Sequence, residues 1–558
     1  MKSSIKKIFS ISLLLTVLFS CKKDLLDTEP RGVIAEGVLS TSSVDKLVVA
    51  SYQALGAHFF GNDQSFAGPS SNWIIDVRSD DAYKGGGGIT DRTDIHQLET
   101  ATMDPTNYAC AQKWRNPYFG IARCNLAIRE IQKLDDDLKY PKEIRIAEMR
   151  LLRGHFHLDL KRNYGNIAYL DEDSDPTTTG NTDLSSDEVW LKIKADFQFA
   201  FDKLPLQQDE VGRVNKYTAA ACLAKLNIER NEWNEAIANT GFVMDGPFSL
   251  LPDFQNLGTI EFENGPEAVF TIQYSTANIY ANHDWGNLLN VTLGPGIAGG
   301  AYANGDDFYL GSQNLVNAFR TSTTGLPLFD NFNDTNVESG SYSGPLDPRV
   351  DFTFGRIGIP WKGNTAIYDL SWVRSTDYLP GFSCKKHVVA PNDPNVHNSF
   401  PWAASGLNFC VIRYAEILLW RAEALIESGG NLEEARNLIN EVRNRAKNSP
   451  YVKTLDGSAN AANYRIELYP STGWTQDYAR KALRFERRLE LAMEGHRFYD
   501  LNRWGVTAAV MNAYYQSEAK NAEYLENSFF QAGKHEFLPI PQGEIDLAPT
   551  LYKQNPNY

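Results

Sequence analysis

The chain has 558 residues, 42% of them hydrophobic, and a formal net charge of −15. It is several times a typical domain of about 100–150 residues and has ample apolar material for a large core. The acidity, with a sequence pI near 5.2, argues against nucleic acid and against adhesion to anionic lipid. It also weighs against a polyanionic ligand unless a local basic patch overrides the field.

Lys2, Lys6 and Lys7 precede an apolar run over residues 8–19. A bilayer span needs roughly 20 apolar residues, so this run has the shape of a secretory signal. Leu18-Phe19-Ser20-Cys21 resembles a bacterial lipobox, although Phe19 is bulkier than usual at its position. The expectation is a signal peptide over residues 1–20 and a lipidated Cys21, with ordinary secretion as the alternative. Acyl chains contribute about 0.8 kcal/mol per buried CH₂, so several would hold the chain firmly. Residues 21–42 read as a polar tether, and no later segment approaches a membrane span. The five remaining cysteines, Cys110, Cys124, Cys222, Cys384 and Cys410, are odd in number and widely spaced. Buried thiols fit them better than a disulfide framework or a zinc site.

Residues 43–250 show helical periodicity. Ser185 or Ser186 caps a helix with the face Val189, Ile193, Phe197, Ala200 and Leu204, which Pro205 stops. Another helix carries Ile144, Ala147, Leu151, Phe156 and Leu160 and ends near Tyr164-Gly165. Two stretches read as copies of one helix pair. Ala220, Leu223 and Ala224 are followed by a break at Asn231 and then Trp233, Ala236 and Ile237. Leu419, Ala422 and Leu425 are followed by Gly429-Gly430 and then Leu432, Ala435 and Ile439. Small alanines let paired helices approach while large residues fill the groove, which is tetratricopeptide logic without the strict consensus. Asn431 is expected to cap the second pair through the amide of Glu434, with the Glu434 side chain reaching back. Between residues 251 and 409 lie seventeen of the 41 glycines and one strand-like run over residues 268–274. That texture predicts a long, loop-rich, ligand-binding insertion, with a helical C-terminal unit over residues 410–558. The fold class is therefore mainly α, tetratricopeptide-like, with minor β structure.

The segment Leu483-Arg-Phe-Glu-Arg-Arg-Leu-Glu-Leu-Ala-Met-Glu-Gly-His-Arg-Phe-Tyr-Asp-Leu-Asn-Arg-Trp-Gly505 resembles the hallmark of SusD/RagB-type proteins, the starch-utilisation-system class of Bacteroidetes. Similar matches are residues 148–160, 413–423 and 537–546, the ending Gln554-Asn-Pro-Asn-Tyr558, and the tether from Cys21 to Pro30. The resemblance spans essentially the whole chain. It implies an outer-membrane, surface-facing lipoprotein that captures oligo- or polysaccharide and delivers it to a SusC-like TonB-dependent transporter. It carries no catalytic role onto these residues. The alternatives are peptide capture, as in some RagB-like members, and a surface polysaccharide hydrolase. In the hallmark itself, Ala482, Phe485, Leu489 and Ala492 form a buried stripe. Arg487 is placed to pair with Glu490, Gly495 to cap the helix, and His496, Arg497, Asp500 and Arg503 to form a buried ion-pair network.

Enzyme signatures are scarce: there is no H-E-x-x-H, no G-x-S-x-G and no Walker motif. Gly85-Gly86-Gly87-Gly88 reads as a flexible loop. His155 and His157, two apart on a helix, point to different faces. No cofactor is expected. Asp171, Asp173 and Asp175 imitate a calcium loop, but Pro176 and Thr182 stand where glycine and glutamate belong. A glycan site needs flat aromatic platforms with amides and carboxylates beside them. Two clusters fit: Trp73, Asp81 and Tyr83, near Asp76 and Asp80; and Tyr280, Asn282, Asp284, Trp285 and Tyr302 in the insertion. Trp361, Trp372, Tyr378 and Trp402 are further candidates, and Lys385, Lys386, Arg349 and Arg356 could form a local basic strip. Cys21→Ser is expected to abolish metabolic labelling with palmitate and to release the protein from the membrane fraction. Unchanged labelling would refute the anchor.

Overall fold

The computed structural model describes residues 40–56, 67–136, 139–275, 306–338, 342–363, 366–390, 393–397 and 404–558. The N-terminal helices are α1 (Thr41–Gln53), α2 (Trp73–Asp76), α3 (Thr93–Glu99), α4 (Tyr108–Lys133), α5 (Lys142–Tyr164), α6 (Ser186–Lys203), α7 (Lys216–Glu229) and α8 (Trp233–Met244). Two short helices follow, α9 (Gln313–Ala318) and α10 (Val350–Thr353). The C-terminal helices are α11 (Tyr414–Glu427), α12 (Leu432–Asn448), α13 (Gln476–Glu490), α14 (Arg497–Arg503), α15 (Thr507–Glu518) and α16 (Gln542–Leu547). Strands are few and short. β1 (Ala82–Gly85) pairs antiparallel with β3 (Phe308–Gly311), β2 (Ala268–Ile272) with β6 (Phe409–Arg413), and β4 (Val396–His397) with β5 (Ala404–Ser405).

The helices stack as successive neighbours. In order of packing, α1 lies on α4, α4 on α5, α5 on α6, α6 on α7, α7 on α8, and α8 directly on α11, which packs on α12 and α13. The direct contact of α8 with α11 carries the stack across some 170 intervening residues, so the segment between them leaves and rejoins the scaffold without interrupting it. Local chemistry explains the helices. Ser185 and Glu188 form a reciprocal capping box at the start of α6, and Val189, Ile193, Phe197 and Ala200 are buried along its face. The two pairs expected from sequence are α7/α8 and α11/α12. Their breaks turn through left-handed residues, Asn231 at φ 58° and Gly429 at φ 71°. Asn431 accepts from the amides of Glu433 and Glu434, both at 3.1 Å. The Glu434 carboxylate does not reach back to complete the box, because Arg421 takes it at 2.7 Å.

The hallmark segment differs from the sequence expectation in its partners. Helix α13 ends at Glu490, short of Ala492, and Gly495 lies in the turn beyond it, so it is not the helix cap. Arg487 and Glu490 do not pair with each other. Arg487 binds Asp500 at 2.8 Å. Glu490 receives Arg349 at 3.0 Å, Arg413 at 2.6 Å, and Arg445. Glu486, one turn earlier, receives Arg349 at 2.7 Å and Arg443 at 2.8 Å. The expected network after the helix is present: His496 lies 3.2 Å from Glu416, Arg497 reaches Asp80 at 2.8 Å, and Asp500 and Glu423 share Arg503. All five cysteines are unpaired, four of them buried.

Burial raises the Glu490 carboxyl, but Arg445, Arg413 and Arg349 outweigh it and hold it down at about 2. A carboxylate depressed in the folded state stabilises above its unfolded value of about 4.3, and that contribution is lost as pH falls toward 2. Glu490→Gln leaves three guanidinium groups under-compensated and is expected to cost about 3–5 kcal/mol at neutral pH. In urea unfolding, that deficit should hold from about pH 7 to about pH 5 and shrink below about pH 4. A pH-independent deficit would refute the assignment.

Candidate functional site

The structure buries the first predicted aromatic cluster. Trp73 is 2% exposed and packs against Phe308 and Tyr309, each with ring centroids 5.9 Å away. Tyr83 is fully buried, its hydroxyl on Glu518. Asp81 is buried on Arg488 at 2.7 Å, Asp80 binds Arg497 and Arg488, and Asp76 accepts from the Tyr309 hydroxyl at 2.6 Å. Asp80 and Asp81 anchor the hallmark segment to the N-terminal scaffold, and Asp76 is tied to β3. Burial, then the neighbouring Asp81 charge, lifts the Asp76 carboxyl to about 7. In the glycine run, Lys84 Nζ donates to the carbonyls of Gly85, Gly88 and Asp91.

The second cluster, Tyr280, Asn282, Asp284, Trp285 and Tyr302, lies outside the described residues, as do Trp402 and Cys21. Trp372 and Tyr378 are buried, at 7% and 1% exposure. His155 and His157 face different partners, Ser70 and the Leu170 amide. Asp171 and Asp175 are taken by Ser174 and Thr177, and no metal-binding cluster occurs among the described residues.

What the structure does assemble is a half-open cavity of about 540 Å³ within the segment between α8 and α11, closed on one side by the chain after α12. Its size falls in the range of ligand pockets, ~300–1,000 Å³. One wall is a turn around Phe254–Asn256, followed by Gly258 at φ +67°, where a Cβ would meet the Lys386 carbonyl oxygen at 2.3 Å. Only glycine permits that approach. A second wall is α10 with the reversing segments around 360–363 and 385–390, locked by the Lys385 amide donating to Thr353 O at 2.8 Å. The third is Pro450, Tyr451, Val452 and Lys453. Trp361 forms part of the lining, backed by Tyr368 in a stacked arrangement with centroids 5.5 Å apart and by Trp372 at 5.5 Å. Phe352 and Tyr451 are half-buried at the mouth. Trp361 thus borders the cavity from within a buried cluster, itself 2% exposed, and Trp372 packs against it in that cluster.

The polar groups of the cavity are mostly committed. Asp351 is held by Arg356 through two bonds of 2.7 Å and by the Tyr464 hydroxyl at 2.6 Å. Lys386 donates to Glu494 at 2.6 Å and lies 5.2 Å from the Phe254 ring centroid. Lys362 donates to three main-chain carbonyls, and Lys385 to two, Asp351 O at 2.8 Å and Pro360 O at 3.0 Å. Burial lowers the Lys385 ammonium to about 7 and that of Lys362 to about 8. Sequence reading pointed to Trp361, Lys385 and Lys386. It missed Phe254, Phe352, Lys362 and Tyr451, which carry no local signal and meet only through the fold. A second cavity, about 550 Å³, opens between α1 and β2 beside Tyr52, Val49, Arg213 and Tyr274. Tyr52 and Arg213 are both committed to Glu148.

Residues 266–558, more than half of the chain, match the SusD family. The chain belongs to the SusD family. Residues 68–228 of this SusD-family protein match a further family described as starch-binding associating with outer membrane. It is 26% identical over 571 residues to SusD-like protein P2 of Formosa agariphila, covering 99% of each chain. Among solved structures it is similar to a laminarin binding SusD-like protein, with a TM-score of 0.68 and 23% identity over 93% of this chain and 100% of that one. It is likewise similar to surface glycan-binding protein A from Bacteroides thetaiotaomicron in complex with laminarihexaose, at TM-score 0.68 and 21% identity over the same shares.

Because Trp73 is core, Trp73→Ala is expected to destabilise the fold by about 3–5 kcal/mol. Its denaturation midpoint should fall, with glycan retention altered only in proportion to the unfolded fraction. A variant of unchanged stability with lost retention would reverse that reading.

Proposed function

We propose that this protein is a non-catalytic glycan-binding lipoprotein of the outer-membrane surface. Lipid on Cys21 anchors it, and residues 251–409 form the ligand-bearing insertion. It captures oligosaccharide and passes it to a SusC-like TonB-dependent transporter. Family membership supports this reading, as do relatives whose names specify laminarin and glycan binding. The observation that carries it is the Trp361 cavity, where aromatic edges, main-chain polar groups and ammonium groups converge in a pocket of ligand size. Sugar rings present C–H faces to aromatic surfaces and hydroxyls to polar groups, and this lining offers both. Capture needs no covalent step: the Asp351 carboxylate is fixed by Arg356 and Tyr464, so the cavity serves as a binding surface.

Affinity electrophoresis of the purified protein against a panel of polysaccharides, neutral and acidic, is expected to retard it in at least one gel. Tyr451→Ala should weaken that retardation roughly two- to tenfold, the scale of one aromatic contact at ~0.5–1.5 kcal/mol, with the protein still folded at the assay temperature although the side chain's contacts to Tyr464 and Lys447 are lost. Incubation with the same panel should release no reducing ends. Steady release would make the protein a hydrolase, and an unaltered gel for Tyr451→Ala would move the site elsewhere.

A further inference from the structure

The cavity proposed above as the glycan site carries a charge pattern that selects among glycans. Four cations were candidates for a basic strip, and the fold separates them. Arg349 is neutralised by Asp347, Glu486 and Glu490, Arg356 by Asp351, and Lys386 by Glu494. Lys385 is 3% exposed and has no carboxylate within ion-pair distance among the described residues. Neither has Lys362. The two differ in what remains. An ammonium has three N–H donors. Lys362 spends all three on the carbonyls of Gly258, Lys385 and Val388, whereas Lys385 spends two, on Asp351 and Pro360. Its nitrogen lies 5.2 Å from the Trp361 ring centroid.

A buried charge without a counter-charge is costly, and folded chains normally pair it. Here both lysines line one half-open cavity, so an entering ligand can bring the missing charge beside them. Lys453 adds a fourth cation to the lining. Of the two lining carboxylates, Asp351 is already bound to Arg356, while Asp393 accepts only from Asn395 and remains one anion against the three lining lysines that have no ion-pair partner among the described residues, Lys362, Lys385 and Lys453. The local balance is therefore positive in a chain whose net charge is −15. Resting on the glycan assignment of this cavity, we propose that it selects a sugar bearing an anionic group, a uronate carboxylate or a sulfate ester. The anion sits at Lys385, and the ring lies against the aromatic lining.

Protonation follows from the same geometry. Burial lowers Lys385 most, Asp351 opposes that, and Arg356 and Lys362 add to it. An anion beside the ammonium favours its charged form, so binding takes up a proton above neutral pH and weakens as pH rises.

The test is calorimetric titration of the full chain with three probes: trigalacturonate, a sulfated galactan oligosaccharide, and neutral laminarihexaose. One charged probe is expected to bind about tenfold or more tighter than laminarihexaose. Which one it is distinguishes carboxylate from sulfate. Its affinity should fall with added salt and from about pH 6 to about pH 9, and paired buffers of different ionisation enthalpy should register proton uptake. Lys385→Met should abolish the preference while Lys385→Arg keeps it. If the methionine variant does not fold, the proton uptake and salt dependence of the wild-type chain decide. Equal or tighter binding of laminarihexaose, without proton uptake, overturns the charge inference and leaves the glycan reading standing. So does charged-probe binding untouched by a folded Lys385→Met. Absence of binding by every probe and every polysaccharide gel overturns both.

Discussion

Two buried carboxylates one turn apart on α13, Glu486 and Glu490, organise the C-terminal half of this protein. They gather guanidinium groups from separate parts of the chain: Arg349 at the start of α10, Arg413 at the end of β6, and Arg443 and Arg445 on α12. Arg413 also binds Glu267, just ahead of β2, and Glu494 beyond α13. A charge buried this deeply is tolerated only when its partners are all in place. The hub therefore couples the loop-rich segment, the last helix pair and the hallmark helix into one geometry.

The hub also shapes the cavity. Lys386, on the cavity wall, donates to the Glu490 carbonyl and the Glu494 carboxylate, and Arg445 and Lys386 both sit about 5 Å from the Phe254 ring. The cations that belong to the hub are neutralised by it. Lys385, the preceding residue in the chain, directs its nitrogen instead to the carbonyls of Asp351 and Pro360 and is left without a carboxylate partner among the described residues. One residue's alternation thus separates a neutralised cation from an uncompensated one. A second set of ion pairs does comparable work at the other end of the hallmark, where Arg488 and Arg497 hold Asp80 and Asp81 and tie α13 and α14 to the N-terminal scaffold.

Much of the scaffold was legible from sequence because helices are local objects. The α6 stripe ending before Pro205, the paired helices around Asn231 and Gly429, and the strand beginning at Ala268 all appear where periodicity and turn residues put them. The errors concern partners. Arg487 and Glu490 have the spacing of a helical pair yet bind Asp500 and three distant arginines. Trp73, Asp81 and Tyr83 have the composition of a sugar-binding loop yet lie in the core. Composition records that an aromatic and an acid are near each other. It does not record which side of them faces water.

The amino-acid order alone determined the helical repeats and the loop-rich segment between them, which rest on residues close together in sequence, and the SusD-family membership, which rests on motifs read in order along the chain. Tertiary structure alone decided which tryptophan lines a cavity, which lysine keeps its charge uncompensated, and that Tyr451 and Phe254 line the same cavity. Those facts depend on segments up to 200 residues apart meeting within a few ångströms, and no local pattern encodes that meeting.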